Sequence, residues 1–134
     1  MDERPPALQH WHRVVQERDP GQLADLLAQD AVFHSPVMHR PQEGRDLVAM
    51  YLTGAMQVLA NDTFHYVREV VGKYDAVLEF ETVVDGLTIN GVDMIRWDEA
   101  GQIVDFKVMV RPRRALDLLQ QRMAQLLQSL TSDG

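Results

Sequence analysis

One acidic residue, in phase with an apolar strand face, limits what this chain can build. In residues 91–112, GVDMIRWDEAGQIVDFKVMVRP, two apolar-rich runs flank Asp98-Glu99-Ala100-Gly101, a turn signal in which Gly101 can take positive φ. Side chains alternate across a strand, so an inward Ile95 and Trp97 carry Asp93 to the same face. A carboxylate placed there must be hydrogen-bonded, neutralised or lining a cavity. The stretch therefore points to an α+β domain with a pocket.

The rest of the chain supplies partners for that hairpin. Strands are expected over about residues 63–72, 74–84, 87–97 and 102–110, punctuated by Gly72-Lys73, Asp85-Gly86 and the 98–101 turn. Asp85-Gly86 is a two-residue hairpin signal, so the sheet should be mainly antiparallel. Upstream, Leu8, Trp11 and Val14/Val15 predict a helix over 7–18. Asp19 as N-cap and Pro20 at the first turn predict a second helix to about residue 29. AVFHSPV at 31–37 reads as a short strand, with Pro36 marking an edge, bulge or end. Residues 39–44 read as loop, and Leu47, Met50/Tyr51, Gly54/Ala55 and Val58 predict a third helix to residue 59. A final helix over 112–130 carries Leu116, Leu119, Met123, Leu126/Leu127 and Leu130 in one stripe. It calls for a groove on its own domain or on a partner subunit.

Composition narrows the function. A length of 134 residues suits a single domain over 1–134, with 112–130 as its helical extension. Without cysteine there is no disulfide, thiolate nucleophile or cysteine-held metal. A net charge of −7 opposes a nucleic-acid surface. No apolar run approaches the ~18 residues of a membrane span. MDERPPALQH lacks the pattern of a signal peptide, so a cytoplasmic location is expected.

The order of elements, with DAVFHSPV at 30–37, the helix start at Gly44-Arg45 and VDMIRWDEAGQI at 92–103, resembles the ketosteroid-isomerase branch of the NTF2-like superfamily, also called SnoaL-like. The likeness covers about residues 8–110. It implies a strongly curved sheet wrapped around three helices, a conical cavity and often a homodimer. It also implies which catalytic groups are missing. The isomerase general-base Asp falls on Ser35, the first-helix Tyr donor on Trp11, and two further pocket tyrosines on Leu27 and Leu52. The second, protonated acid donor keeps its type at Asp93. A serine without a base cannot shuttle a carbon-bound proton, so steroid isomerisation through Ser35 is excluded.

Asp93 is thus the candidate acid or hydrogen-bond donor, its pKa raised by burial, with a structural carboxylate as the plain alternative. Trp11, Phe33, Ser35, Tyr51, Ile95, Trp97 and Phe106 are candidate pocket residues. His10 and His12 are two apart on a helix and are read as lying on different faces. His34 is expected to face solvent or an interface, and His39 sits on a loop that could swing over a pocket. No metal spacing occurs, and neither metal nor cofactor is expected. Glu79 and Glu81 are assigned to the outer sheet face. Arg111, Arg113 and Arg114 suit cross-interface pairing better than anion binding, since cations oppose the dipole at a helix N-terminus.

Three functions follow from the same residues. The first is cofactor-free acid/base chemistry of isomerase, cyclase or hydratase type on a small, largely apolar or carbonyl-bearing metabolite. The second is a non-catalytic small-molecule binding module. The third is an interaction or structural homodimer with a filled cavity.

Overall fold

The computed structural model describes residues 3–132. Helix α1 (Pro6–Glu17) has proline at its first position, where the missing N–H costs nothing, and buries Ala7, Leu8, Trp11 and Val14. It ends at Arg18, whose left-handed backbone (φ 53) returns its N–H to Val14 and Val15 carbonyls.

The segment after α1 departs from the sequence expectation. Instead of a helix to residue 29 there is a 3-10 turn, Pro20–Gln22, capped by Asp19, and a single helical turn, α2 (Leu23–Leu26). Strand β1 (Leu27–His34) then starts earlier than 31 and ends before Ser35 and Pro36. The physical reason is tertiary. Leu27 pairs with Ile103 and Val32–His34 with Asp105–Lys107. A ladder to a central strand outweighs the local helical pattern of Leu23, Leu26 and Leu27. The short strand β2 (Gln42–Glu43) pairs with β1 in the stretch read as loop.

Helix α3 (Arg45–Leu59) is followed by β3 (His65–Val71), β4 (Asp75–Val84), β5 (Leu87–Trp97), β6 (Ile103–Arg111) and α4 (Arg113–Ser132). Asp85 and Gly86 both take positive φ (52 and 78), as a tight two-residue hairpin requires. The six strands form one curved sheet in the order β2-β1-β6-β5-β4-β3. Every pairing is antiparallel except β1 with β6, so the sheet is mixed.

Register assigns each row to a face. Glu69, Leu78, Asp93 and Val108 lie side by side, as do Tyr66, Phe80, Gly91 and Val110, and both rows face the helices at their centre. Gly91 is required where it stands. A Cβ there would lie 2.5 Å from the Phe80 ring and 2.8 Å from the Met109 carbonyl. Without it Phe80 lies over the strand and stacks on Phe64, ring centres 5.1 Å apart. The opposite face carries Val70, Val77, Met94 and Lys107 in one row and Arg68, Glu79, Val92 and Met109 in the next.

Helix α4 packs on its own domain. Ala115 and Leu119 are buried, and the Met123 thioether rests on Gly54 of α3, where a Cβ would sit 3.0 Å from its terminal methyl. Leu116 is partly buried, and the Leu127 and Leu130 side chains lie outside the described ones. Among the described residues no helix is long and apolar enough to cross a membrane.

Candidate functional site

Asp93 projects from the middle of β5 into the space between sheet and helices and is 5% exposed. The phase of the strand demands this, since Ile95 and Trp97 are buried on the same side. Its carboxyl is held by a chain of two hydrogen bonds from other elements. Trp11 Nε1 of α1 donates to the Tyr66 hydroxyl of β3 at 2.9 Å, and that hydroxyl donates to Asp93 Oδ2 at 2.7 Å. An indole N–H can only donate and an ionised carboxylate can only accept, so beside an ionised Asp93 the phenol accepts from Trp11 and gives its own proton to the carboxyl. Among the described hydrogen bonds, those of Asp93 engage Oδ2 alone.

Burial dominates the electrostatics. It pushes the Asp93 carboxyl from 3.8 up to about 7, while the hydrogen bond from Tyr66 pulls the other way. Burial, then the neighbouring Asp93 charge, holds the Tyr66 phenol well above its ordinary 10.0. Tyr66 therefore stays a neutral donor at any ordinary pH, and the group that changes its proton near neutrality is Asp93.

Around this pair is an apolar chamber of about 40 Å³, walled chiefly by Trp11, Leu52, Met56, Phe64, Phe80 and Phe106. Trp11 meets Phe106 edge to face at 4.8 Å, which fixes the indole that starts the chain. A second void of about 20 Å³ lies between Phe33, Ser35, Val37, Leu119 and Met123. Ala55, Leu59 and Val108 line both voids and separate them.

The sequence candidates fall into three groups. Asp93, Trp11 and Phe106 meet at the chamber. Phe33 and Ser35 line the second void, and the Ser35 hydroxyl accepts from the Val37 N–H at 3.2 Å. Tyr51, Ile95 and Trp97 are core residues away from both voids. Tyr51 stacks on Phe33 at 6.0 Å, and the Trp97 indole donates to the Lys73 carbonyl at 3.1 Å. His39 borders an outer depression with His34, Met38 and Lys107 beside Ser35, not the Asp93 chamber. His34 pairs with Asp105 at 2.9 Å. Glu79 lies on the outer face with Arg68 and Asn90, and Arg111 donates to the Asn90 side chain at 2.9 Å. Among the described residues no cluster of three metal-ligating side chains forms.

Two participants were not singled out from the sequence. Tyr66 sits in HYVREVV, where a bulge between Tyr66 and Arg68 shifts the register and hides the alternation. His12 lies one residue from Trp11 and approaches Glu69 Oε1 to 2.5 Å, its ring edge-on to Tyr66 at 5.2 Å. Its signal was available, because residues 8, 11, 12 and 15 share one helical face. That spacing aims His12 inward, whatever His10 does.

The SnoaL-like domain family matches residues 8–106. Among solved structures, a steroid delta-isomerase from Pseudomonas aeruginosa is 40% identical with a TM-score of 0.88, covering 94% of this chain and 92% of that one. A cystatin-like-fold protein from Silicibacter pomeroyi is 34% identical with a TM-score of 0.83, covering 90% and 84%. An NTF2-like protein from Mesorhizobium loti, 20% identical with a TM-score of 0.69 over 84% and 97% of the two chains, shares the fold. A search of curated proteins gave no match. The chain belongs to the SnoaL-like, ketosteroid-isomerase-like branch of the NTF2-like fold.

Proposed function

We propose that this chain binds a compact, largely apolar molecule bearing a carbonyl or hydroxyl group, and acts on it by cofactor-free acid/base chemistry at Asp93. The observation that carries this is the Trp11–Tyr66–Asp93 chain at the wall of an apolar chamber. Below about pH 7 Asp93 keeps its proton. With Oδ2 accepting from Tyr66, Oδ1 is the oxygen that carries that proton and donates to a ligand oxygen. Such a donor in a dry site stabilises developing negative charge on a carbonyl far better than water does. A carboxyl titrating near neutrality also exchanges its proton readily with substrate, as an isomerase, cyclase or hydratase step needs. The 40% identical steroid delta-isomerase supports chemistry of this class, although Ser35 offers no base for it here.

Binding must open the chamber. About 40 Å³ is far below the ~300–1,000 Å³ of small-molecule pockets. The walls that can yield are Met56 and Met123, whose unbranched thioethers repack readily.

A second reading, favoured by the smallness of both voids, is an interaction or structural dimer with a filled interior. Either way a homodimer through the outer sheet face is proposed. Val70 is 61% exposed and Met109 51%, in adjoining rows with Val77 and Met94. Titration with 4-propylphenol separates the two readings. The ligand-binding reading, with or without turnover, expects saturable shifts of the Tyr66 and Trp11 NMR signals. Affinity should be retained in Asp93→Asn and lowered about fivefold or more in Asp93→Ala, which removes the hydrogen-bonding group. No binding, with an unchanged dimer mass, supports the filled interior.

A further inference from the structure

We propose that Phe64 is a swinging wall of the Asp93 chamber and holds the place of its ligand, so that the ligand carries one flat ring, aromatic or conjugated, with an oxygen substituent. This rests on the ligand-binding reading above. An outer depression of about 460 Å³ lies against the chamber, and Val15, Ala60, Phe64 and Tyr66 border both spaces. Those four residues form the partition between them. Three of the four have little movement to offer. Ala60 has no side chain beyond its methyl. Val15 is β-branched and lies on helix α1, where one χ1 rotamer dominates. Tyr66 is tied at its hydroxyl to Trp11 and Asp93. Among the described contacts, the Phe64 side chain is held by ring packing alone.

Phe64 ends the turn between α3 and β3, and the backbone of that turn is pinned while the ring is not. Asn61 Nδ2 donates to the Val83 carbonyl at 2.8 Å, and Asn61 Oδ1 accepts from the Thr63 N–H at 2.8 Å. The Phe64 N–H donates to the Asn61 carbonyl at 3.0 Å. The half-buried side chain can therefore turn about its own bonds while the main chain stays, and the depression has room to receive it. Inside, the ring stacks on Phe80 at 5.1 Å and 25° and meets the Tyr66 ring edge-on at 5.2 Å and 84°. Any other flat ring reproduces such contacts. With Phe64 turned outward, a slot remains with Phe80 as its floor and Tyr66 as its side wall, in the chamber that Asp93 lines. The slot adds the volume of a phenyl ring to about 40 Å³. A saturated ring of the same size is puckered and loses the stacked contact with Phe80.

The native chain with 4-propylphenol tests this without any variant. In the free chain the Phe64 ring protons should show NOEs to Phe80 and Tyr66. On saturation those NOEs should disappear, and the probe ring should show NOEs to the same two residues. trans-4-Propylcyclohexanol, alike in length and hydroxyl but not flat, should bind about three- to tenfold more weakly, the scale of one or two aromatic contacts. Phe80→Leu should abolish that preference. Phe64→Ala, which empties the slot, should bind the phenol more tightly than the native chain does. Phe64 NOEs to Phe80 and Tyr66 that persist in a saturated complex overturn the proposal. If the Tyr66 and Trp11 signals still shift in that complex, the ligand-binding reading stands without it. Equal affinity for the two probes in the native chain likewise overturns the flat-ring ligand. A phenol that binds Phe64→Ala but not the native chain marks Phe64 as fixed core. The proposal and the ligand-binding reading then fall together, as they do if neither chain binds.

Discussion

Replacing Asp93 with asparagine should change stability in a way that depends on pH with a known sign. In the unfolded chain Asp93 ionises near its ordinary 3.8, whereas in the folded chain burial holds it at about 7. Below about pH 4 both states are protonated and burial of the carboxyl carries no ionisation penalty. Between about pH 4 and 7 the unfolded state loses its proton while the folded state keeps it, so rising pH favours unfolding. Above about pH 7 the folded state must hold a buried charge and the loss is complete. The displacement from 3.8 to about 7, at about 1.4 kcal/mol per tenfold in proton affinity, amounts to on the order of 4 kcal/mol. Asparagine has no such term, and its side-chain oxygen can still accept from Tyr66. The variant should therefore match the native chain near pH 4 and exceed it by several kcal/mol by about pH 8. Urea unfolding followed by tryptophan fluorescence, at one protein concentration, reads the difference, and the titration of all other groups cancels in it. A difference that is flat across this range, or that grows in favour of the native chain, refutes the reasoning.

Other outcomes follow from the same geometry. Tyr66→Phe orphans the Trp11 N–H and removes the donor that opposes burial. It should cost about 1–3 kcal/mol in urea unfolding and move the Asp93 titration above its native value in NMR. Gly91→Ala forces a methyl against Phe80 and against the Met109 carbonyl, which the β5–β6 ladder holds in place. A loss of about 1–3 kcal/mol is expected, only partly recovered by adding Phe80→Leu. Sedimentation of the native chain should give about twice 15.3 kDa, and Val77→Lys with Met94→Lys, on the outer face, should give the single-chain mass.

Much of the frame was legible because local signals and tertiary demands agree. The Asp85-Gly86 turn, the phase of Asp93 with Ile95 and Trp97, and the stripe of α3 each have one solution. The stretch from Leu23 to Leu27 was misread because its helical spacing is real. Nothing local announces that Leu27 will pair with Ile103, a contact whose strength comes from a strand far along the chain. The site was half visible for a related reason. Asp93 stands out as a carboxylate among inward apolar residues, whereas its partner Tyr66 is hidden by a bulge that breaks the period of β3. Ser35 lies beyond the end of β1 and lines the smaller void, so family position alone did not bring it to Asp93.

Acid chemistry at this site requires that Asp93 keep its proton near neutrality. The direct measurement is a ¹³C NMR titration of the Asp93 carboxyl in the native chain, assigned against Asp93→Asn. A midpoint at about 7 is predicted, with the Tyr66 and Trp11 signals following the same curve. A midpoint near the ordinary 3.8, with Tyr66 and Trp11 unmoved between pH 5 and 9, would leave Asp93 a structural carboxylate and contradict acid chemistry at this site.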